Sequence, residues 1–239
     1  MKQLISLGLV AMLALSCSKD TPVNGSVTMK VSSTSTTGKA SSSGRVASTI
    51  LFSSFKLNIS KIKFERSSID SKYKTADSLY EDTKLIGPFL IEIIGAGNAT
   101  VNNLISTVSV PNGNFEKVKF KFQKAPIGSE IEGKTYLAIG TIDGKPFKLW
   151  SNQELELKVD FSDNSKNIVI NGNSALVNIK FRLDGIMSRL TTAFNSGELK
   201  LNANGAFDDI STESNSLNKS LADAIKKLFE NDCKLDDKD

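Results

Sequence analysis

Tyr136-Leu137-Ala138-Ile139-Gly140-Thr141-Ile142-Asp143-Gly144-Lys145-Pro146-Phe147-Lys148-Leu149-Trp150 is the stretch from which the fold is read. Asp143-Gly144 is a pair favoured by a two-residue type I′ turn, whose twist matches that of two antiparallel strands. Centring the hairpin there sets Ile139 opposite Lys148 and Leu137 opposite Trp150 on one face. Gly140 then lies opposite Phe147, and Ala138 opposite Leu149, on the other. Both faces are substantially apolar, which predicts a hairpin covered on both sides.

Outward from the hairpin, the same two-residue period dominates residues 50–202. Phe55, Leu57 and Ile59 alternate with Lys56 and Asn58; Ile62 and Phe64 resume on the opposite parity, predicting a bulge near Ser60-Lys61. Further strands are expected at 85–94, 100–110, 115–123, 153–161, 167–171, 174–183 and 197–202, punctuated by Pro111-Asn112-Gly113, Asp163-Asn164 and Asn171-Gly172-Asn173. Many short strands without alternating long helices predict a mainly β chain: an antiparallel β-sandwich with a short helix and a C-terminal amphipathic helix. The short helix is expected over 185–194, with Ile186, Met187, Leu190 and Phe194 on one side. The second is expected over 215–230, with Leu217, Leu221, Ala224, Ile225 and Leu228 forming its stripe and covering the hairpin's second face.

The N-terminus reads as an address. In MKQLISLGLVAMLALS, Lys2 is followed by an apolar run from Leu4 to Leu15, which is signal-peptide length and too short for a membrane span. Ser16-Cys17 follows, so Cys17 is the candidate lipidation site; the plainer reading is a secretory peptide ending near a cysteine. A lipidated Cys17 would attach the chain to a membrane and leave Cys233 without an internal disulfide partner. The division expected is a signal peptide at 1–16, a Ser/Thr-rich tether at 17–49, a sandwich at 50–204, and a helix and acidic tail packed on the same domain at 205–239. Within the tether, Val27 to Val31 alternate like a strand that joins a sheet, and residues 32–47 read as a loop.

Composition excludes several chemistries. The 239 residues contain no histidine, which removes Ser-His-Asp and Cys-His catalysis and histidine-held zinc or haem. Thirty basic residues against 26 acidic ones give +4, too little to argue for a nucleic-acid partner. Glu154 and Glu156 share a strand face at a separation a glycosidase could use, yet they alternate with Leu155 and Leu157 as a solvent face does. The five carboxylates after Phe229 match no calcium loop, so no metal and no cofactor are expected.

What remains are binding candidates. Lys117, Lys119 and Lys121 alternate with Val118 and Phe120, giving one basic strand face. That face is either an anion site for an acidic glycan or glycolipid, or a soluble exterior that resists edge pairing. Trp150 is the only tryptophan and could stack a sugar, although Leu137 opposite it favours burial. Ser78, in Asp77-Ser78-Leu79, fits a short O-glycosylation pattern.

Three strings, Phe55-Lys56-Leu57-Asn58-Ile59-Ser60-Lys61-Ile62, Val110-Pro111-Asn112-Gly113-Asn114-Phe115 with Val118-Lys119-Phe120, and Asp143-Gly144-Lys145-Pro146-Phe147, occur in that order. Together with the Cys17 start, they resemble a family of Bacteroidota envelope lipoproteins built on a β-sandwich domain of unknown function. The resemblance implies outer-membrane anchoring, with the cell surface the expected face, and brings no catalytic residues. The expected function is a non-enzymatic binding or adhesion module for a glycan or an envelope protein. An accessory subunit of an envelope complex, pairing through a strand edge, is the alternative, and a glycan hydrolase the third reading.

Overall fold

The computed structural model describes residues 24–34, 37–39, 49–67, 83–95, 99–100, 103–161 and 167–238. Cys17 and Ser78 lie outside the described residues. Among the described residues the fold is mainly β, with two curled mixed sheets in a half-barrel, sandwich-like arrangement and two helices.

One strand organises the larger sheet. β3 (Thr49–Arg66), which follows β1 (Asn24–Thr34) and β2 (Thr37–Lys39), is 18 residues long. One edge of β3 pairs with β4 (Thr83–Gly95). The other edge is shared end to end: residues 59–66 pair with β7 (Gly113–Phe122) and residues 50–57 with β8 (Tyr136–Ile142). Asn58 stands at the junction. Its backbone N–H donates to the Thr135 carbonyl, and its side-chain amide donates to the carbonyls of Gln123 and Lys124, where β7 ends. The bulge falls where the parity change places it, between Ile59 and Lys61, and the Ser60 hydroxyl donates to the Lys121 carbonyl there.

β10 (Leu155–Asp160) extends the sheet beyond β7, and β9 (Lys145–Ser151) and then β13 (Phe207–Ser211) extend it beyond β8. β11 (Ile168–Ile170) also borders β7, and β5 (Ala99–Thr100) borders the end of β4. The hairpin register is the one the Asp-Gly turn dictates: Leu137 faces Trp150, Ile139 faces Lys148, Ala138 faces Leu149 and Gly140 faces Phe147. Asp143 and Gly144 both take positive φ, at 48° and 75°, as a type I′ turn requires.

The smaller sheet has the order β14-β12-β1-β6, with β6 at Asn103–Pro111, β12 at Ser174–Arg182 and β14 at Cys233–Lys238. The described strands pair antiparallel except β1 with β12 and β9 with β13. Val27, Met29 and Val31 point from β1 into the single core, and Ser26, Thr28 and Lys30 alternate outward.

Two helices close the open side. α1 (Asp184–Asn195) buries Ile186, Met187 and Leu190, as its spacing predicts. α2 (Lys219–Asp232) buries Leu221, Ala222, Ile225 and Phe229. This stripe is rotated from the expected one: Leu217 precedes the helix and is exposed, and Ala224 and Leu228 are only partly covered. The rotation brings in Phe229, whose ring lies 5.2–6.1 Å from those of Phe55, Phe122, Tyr136 and Phe181.

Four further expectations are corrected. The hairpin is not covered twice: α2 packs with the face carrying Tyr136, while Ile139 on the other is 37% exposed. Residues 197–202 form no strand, and the strand of that region is β13. The acidic tail is not merely solvated, since residues 233–238 form β14 against β12. The expected loop at 32–47 contains the end of β1 and all of β2.

The Tyr136 hydroxyl is buried among these rings without a hydrogen-bond partner among the described residues. Burial, and then the nearby Asp223 and Glu230 carboxylates, push its pKa well above the ordinary phenol value. Tyr136→Phe removes an unsatisfied polar atom and keeps the ring. It should leave stability unchanged or raise it by about 1 kcal/mol, read as a higher urea midpoint. A loss larger than that would mean the hydroxyl is partnered.

Candidate functional site

The outer face of β3, β4, β7 and β10 gathers the lysines named from the sequence together with others from neighbouring strands. After the bulge, β3 turns Ile62 and Phe64 inward and Lys61, Lys63 and Glu65 outward. The register then sets three rows across the sheet. In the first, Ile86, Lys61, Lys121 and Glu156 are successive cross-strand neighbours; in the third, Glu65, Lys117 and Asp160. The middle row is Lys84, Lys63, Lys119 and Lys158, one lysine from each of four strands.

Ion pairs knit the face. Glu65 lies between two ammoniums, 2.8 Å from Lys63 Nζ and 2.6 Å from Lys119 Nζ. Lys121 reaches Glu154 at 2.9 Å, Lys158 reaches Glu156 at 3.7 Å, and Lys117 reaches Glu116 at 3.3 Å and Asp160 at 3.6 Å. The hydrogen bond to Glu116, then the attraction of Asp160, raise the Lys117 pKa. Lys61 and Lys84 have no carboxylate partner among the described residues. A groove of about 230 Å³ runs between the first two rows, lined by Lys61, Lys63, Glu65, Lys119, Lys121 and Glu156.

Partial burial pushes the Glu65 carboxyl up, but hydrogen bonds and attraction from Lys119 and Lys63 outweigh it and hold the pKa below the usual carboxylate range. A depressed folded-state pKa contributes stability above the unfolded value and loses it as pH falls through the folded one. Glu65→Gln should therefore flatten the acid limb of the stability curve below about pH 4. At neutral pH it should cost on the order of 1 kcal/mol, since the pairs are partly exposed. Parallel urea titrations at pH 3 and 7 check this, and an unchanged acid limb would contradict it.

Trp150 does not join the lysines. It lies two strands out from the other half of β3, half-buried, in a row with Leu137 and Lys56, and Lys134 Nζ sits 5.3 Å from its ring centroid. Lys56 is itself held by Glu130 and, at 3.8 Å, by Glu92. Its aromatic face is thus already occupied by a cation.

Glu154 and Glu156 are each drawn to a lysine. Hydrogen bonds from Lys121 and then Gln123 lower the Glu154 pKa, opposite to the raised value a general acid needs. Among the described residues no group of His, Cys, Asp or Glu is placed to hold a metal ion, and no helix is long and apolar enough to cross a membrane.

Lys61, Lys63, Lys84 and Lys158 were not candidates from the sequence. Their signal was present as alternation with apolar residues on three strands, but only the pairing of those strands makes one surface of them. No family model, no curated protein and no solved structure matches this chain.

Proposed function

We propose that this chain is a lipid-anchored cell-envelope binding or adhesion module without catalytic activity, held to the outer membrane through Cys17 and directed to the cell surface. The observation that carries the reading is the grooved lysine face of β3, β4, β7 and β10. It is open, built on strands and broad, which suits an extended ligand better than a small enclosed one. Cys17 directly after the signal-like apolar run and Ser16, and the resemblance to Bacteroidota envelope lipoproteins, support the placement. A glycan is the partner class that a shallow, polar groove on a surface-exposed protein serves.

One observation favours the second reading, an accessory subunit pairing through a strand edge. Among the described residues, β4 has no ladder partner on its far edge before Ile94. Ile86 beside that edge is 68% exposed, which is what a partner strand covers. Protease shaving of intact cells with a lysed control, followed by a glycan array with the purified protein, separates the two. Digestion in intact cells with glycan retention supports the binding module. Protection until lysis with no glycan retained overturns it in favour of the subunit.

A further inference from the structure

Like charges placed directly opposite one another across a sheet are destabilising, and a face shaped only for solubility alternates its signs. The rows on either side of Lys84-Lys63-Lys119-Lys158 do bring opposite charges together. Lys121 faces Glu156 as well as Lys61 in one, and Lys117 lies between Glu65 and Asp160 in the other. The middle row makes three successive lysine–lysine juxtapositions instead. Glu65 relieves the central one, bridging Lys63 and Lys119 from the neighbouring row, and Glu156 lies 3.7 Å from Lys158 at one end. At the ends, Lys84 and Lys158 are exposed.

Adjacent strands lie about 4.8 Å apart, so the four ammoniums are spread over about 14 Å, perpendicular to the strands. Resting on the reading of the chain as a binding module, we propose that this row holds an acidic polysaccharide crossing the four strands, its carboxylate or sulfate groups taken in succession by Lys84, Lys63, Lys119 and Lys158. The groove beside the row accepts the sugar backbone. Linear charge repetition distinguishes this ligand from a single phosphate, for which one cluster would suffice. On the outer faces of these strands the described rows carry no aromatic side chain on which a base could stack, which sets single-stranded nucleic acid aside.

The test uses the full chain and the double variant Lys84→Gln/Lys158→Gln, whose side chains lie at the exposed ends of the row and leave the Glu65 bridge intact. Lys145→Gln/Lys148→Gln, on the hairpin of the same sheet, is the charge-matched control. Binding is measured to polygalacturonate for the carboxylate arm and dextran sulfate for the sulfate arm. Vesicles of anionic phospholipid and a single-stranded oligonucleotide are compared at matched charge. The row variant should bind the preferred polysaccharide about tenfold more weakly at low salt, with the slope of log K against log salt reduced by about two. The control should change by less than about twofold.

Retention of parental affinity by the row variant, or an equal loss in the control, overturns the assignment while leaving the binding module in place. Preference for vesicles or oligonucleotide overturns it in favour of those surfaces. Failure of the parent chain to retain either polysaccharide also overturns the assignment, while the glycan array and protease shaving decide the binding module separately.

Discussion

Replacing Phe229 by alanine is expected to cost about 3–5 kcal/mol, the range for deleting a buried aromatic ring, and to lower the melting temperature by roughly 10 °C. The ring is 3% exposed and is shared by elements from distant parts of the chain: Phe55 of β3, Phe122 of β7, Tyr136 of β8 and Phe181 of β12. It lies nearly parallel to Phe181, at 12°, and edge-on to Phe122, at 78°. Its loss opens a void that β-sheet walls on several sides cannot collapse to fill. Phe229→Leu, which keeps part of the volume, should recover part of the loss. Urea unfolding followed by near-ultraviolet dichroism reads both. A cost under about 1 kcal/mol would mean that α2 is not docked through this ring.

Gly140→Ala is expected to cost about 3 kcal/mol or more, through crowding rather than a void. A Cβ at Gly140 would lie 1.9 Å from the Leu51 carbonyl oxygen and 2.7 Å from the Phe147 ring. The ring could yield, but the oxygen belongs to β3, which the register places against β8. Relief therefore requires parting two strands at the centre of the sheet. Ile139→Ala, one residue away on the exposed face, should cost under about 1 kcal/mol. Equal losses at the two sites, read from urea midpoints, would contradict this account.

Local chemistry made the hairpin legible. Asp143-Gly144 fixes a turn, the turn fixes a register, and the parity change at Ser60-Lys61 announces its own bulge. The structure departs from the local pattern where a partner comes from another part of the chain. Leu199 and Leu201 alternate with Lys200 and Asn202, a pattern that resembles a strand, although only Leu199 is buried. Yet the backbone of Lys200 is satisfied by a side chain: its N–H donates to Asn218 Oδ1 at 2.7 Å, and its carbonyl accepts from Asn218 Nδ2 at 3.0 Å. An asparagine amide carries a donor and an acceptor in the geometry of a peptide, so it stands in for a neighbouring strand.

The α2 stripe is rotated from the one its spacing predicts because Phe229 and Leu228 are adjacent and both apolar, and only the aromatic lining of the core selects between them. For the candidate site, the sequence made Lys117, Lys119 and Lys121 visible as one strand's outer face. It could not show that Lys84, Lys63 and Lys158 stand in line with Lys119. That alignment is set by which strands are neighbours and in what register, and residues 84 and 158 lie far apart in the chain.

The position of β1 has a mechanical consequence. Its neighbours are β12 on one side, in nine register pairs, and β6 on the other, in eight. A pull along the chain at Asn24 therefore acts parallel to a central strand, loading both ladders in shear. Bonds loaded together share the force and must fail together, whereas a strand peeled from an edge gives them up one at a time. A molecule tethered from residues before Asn24 and gripped on its lysine face would resist being drawn off its surface by sliding friction across two ladders, not by unzipping one.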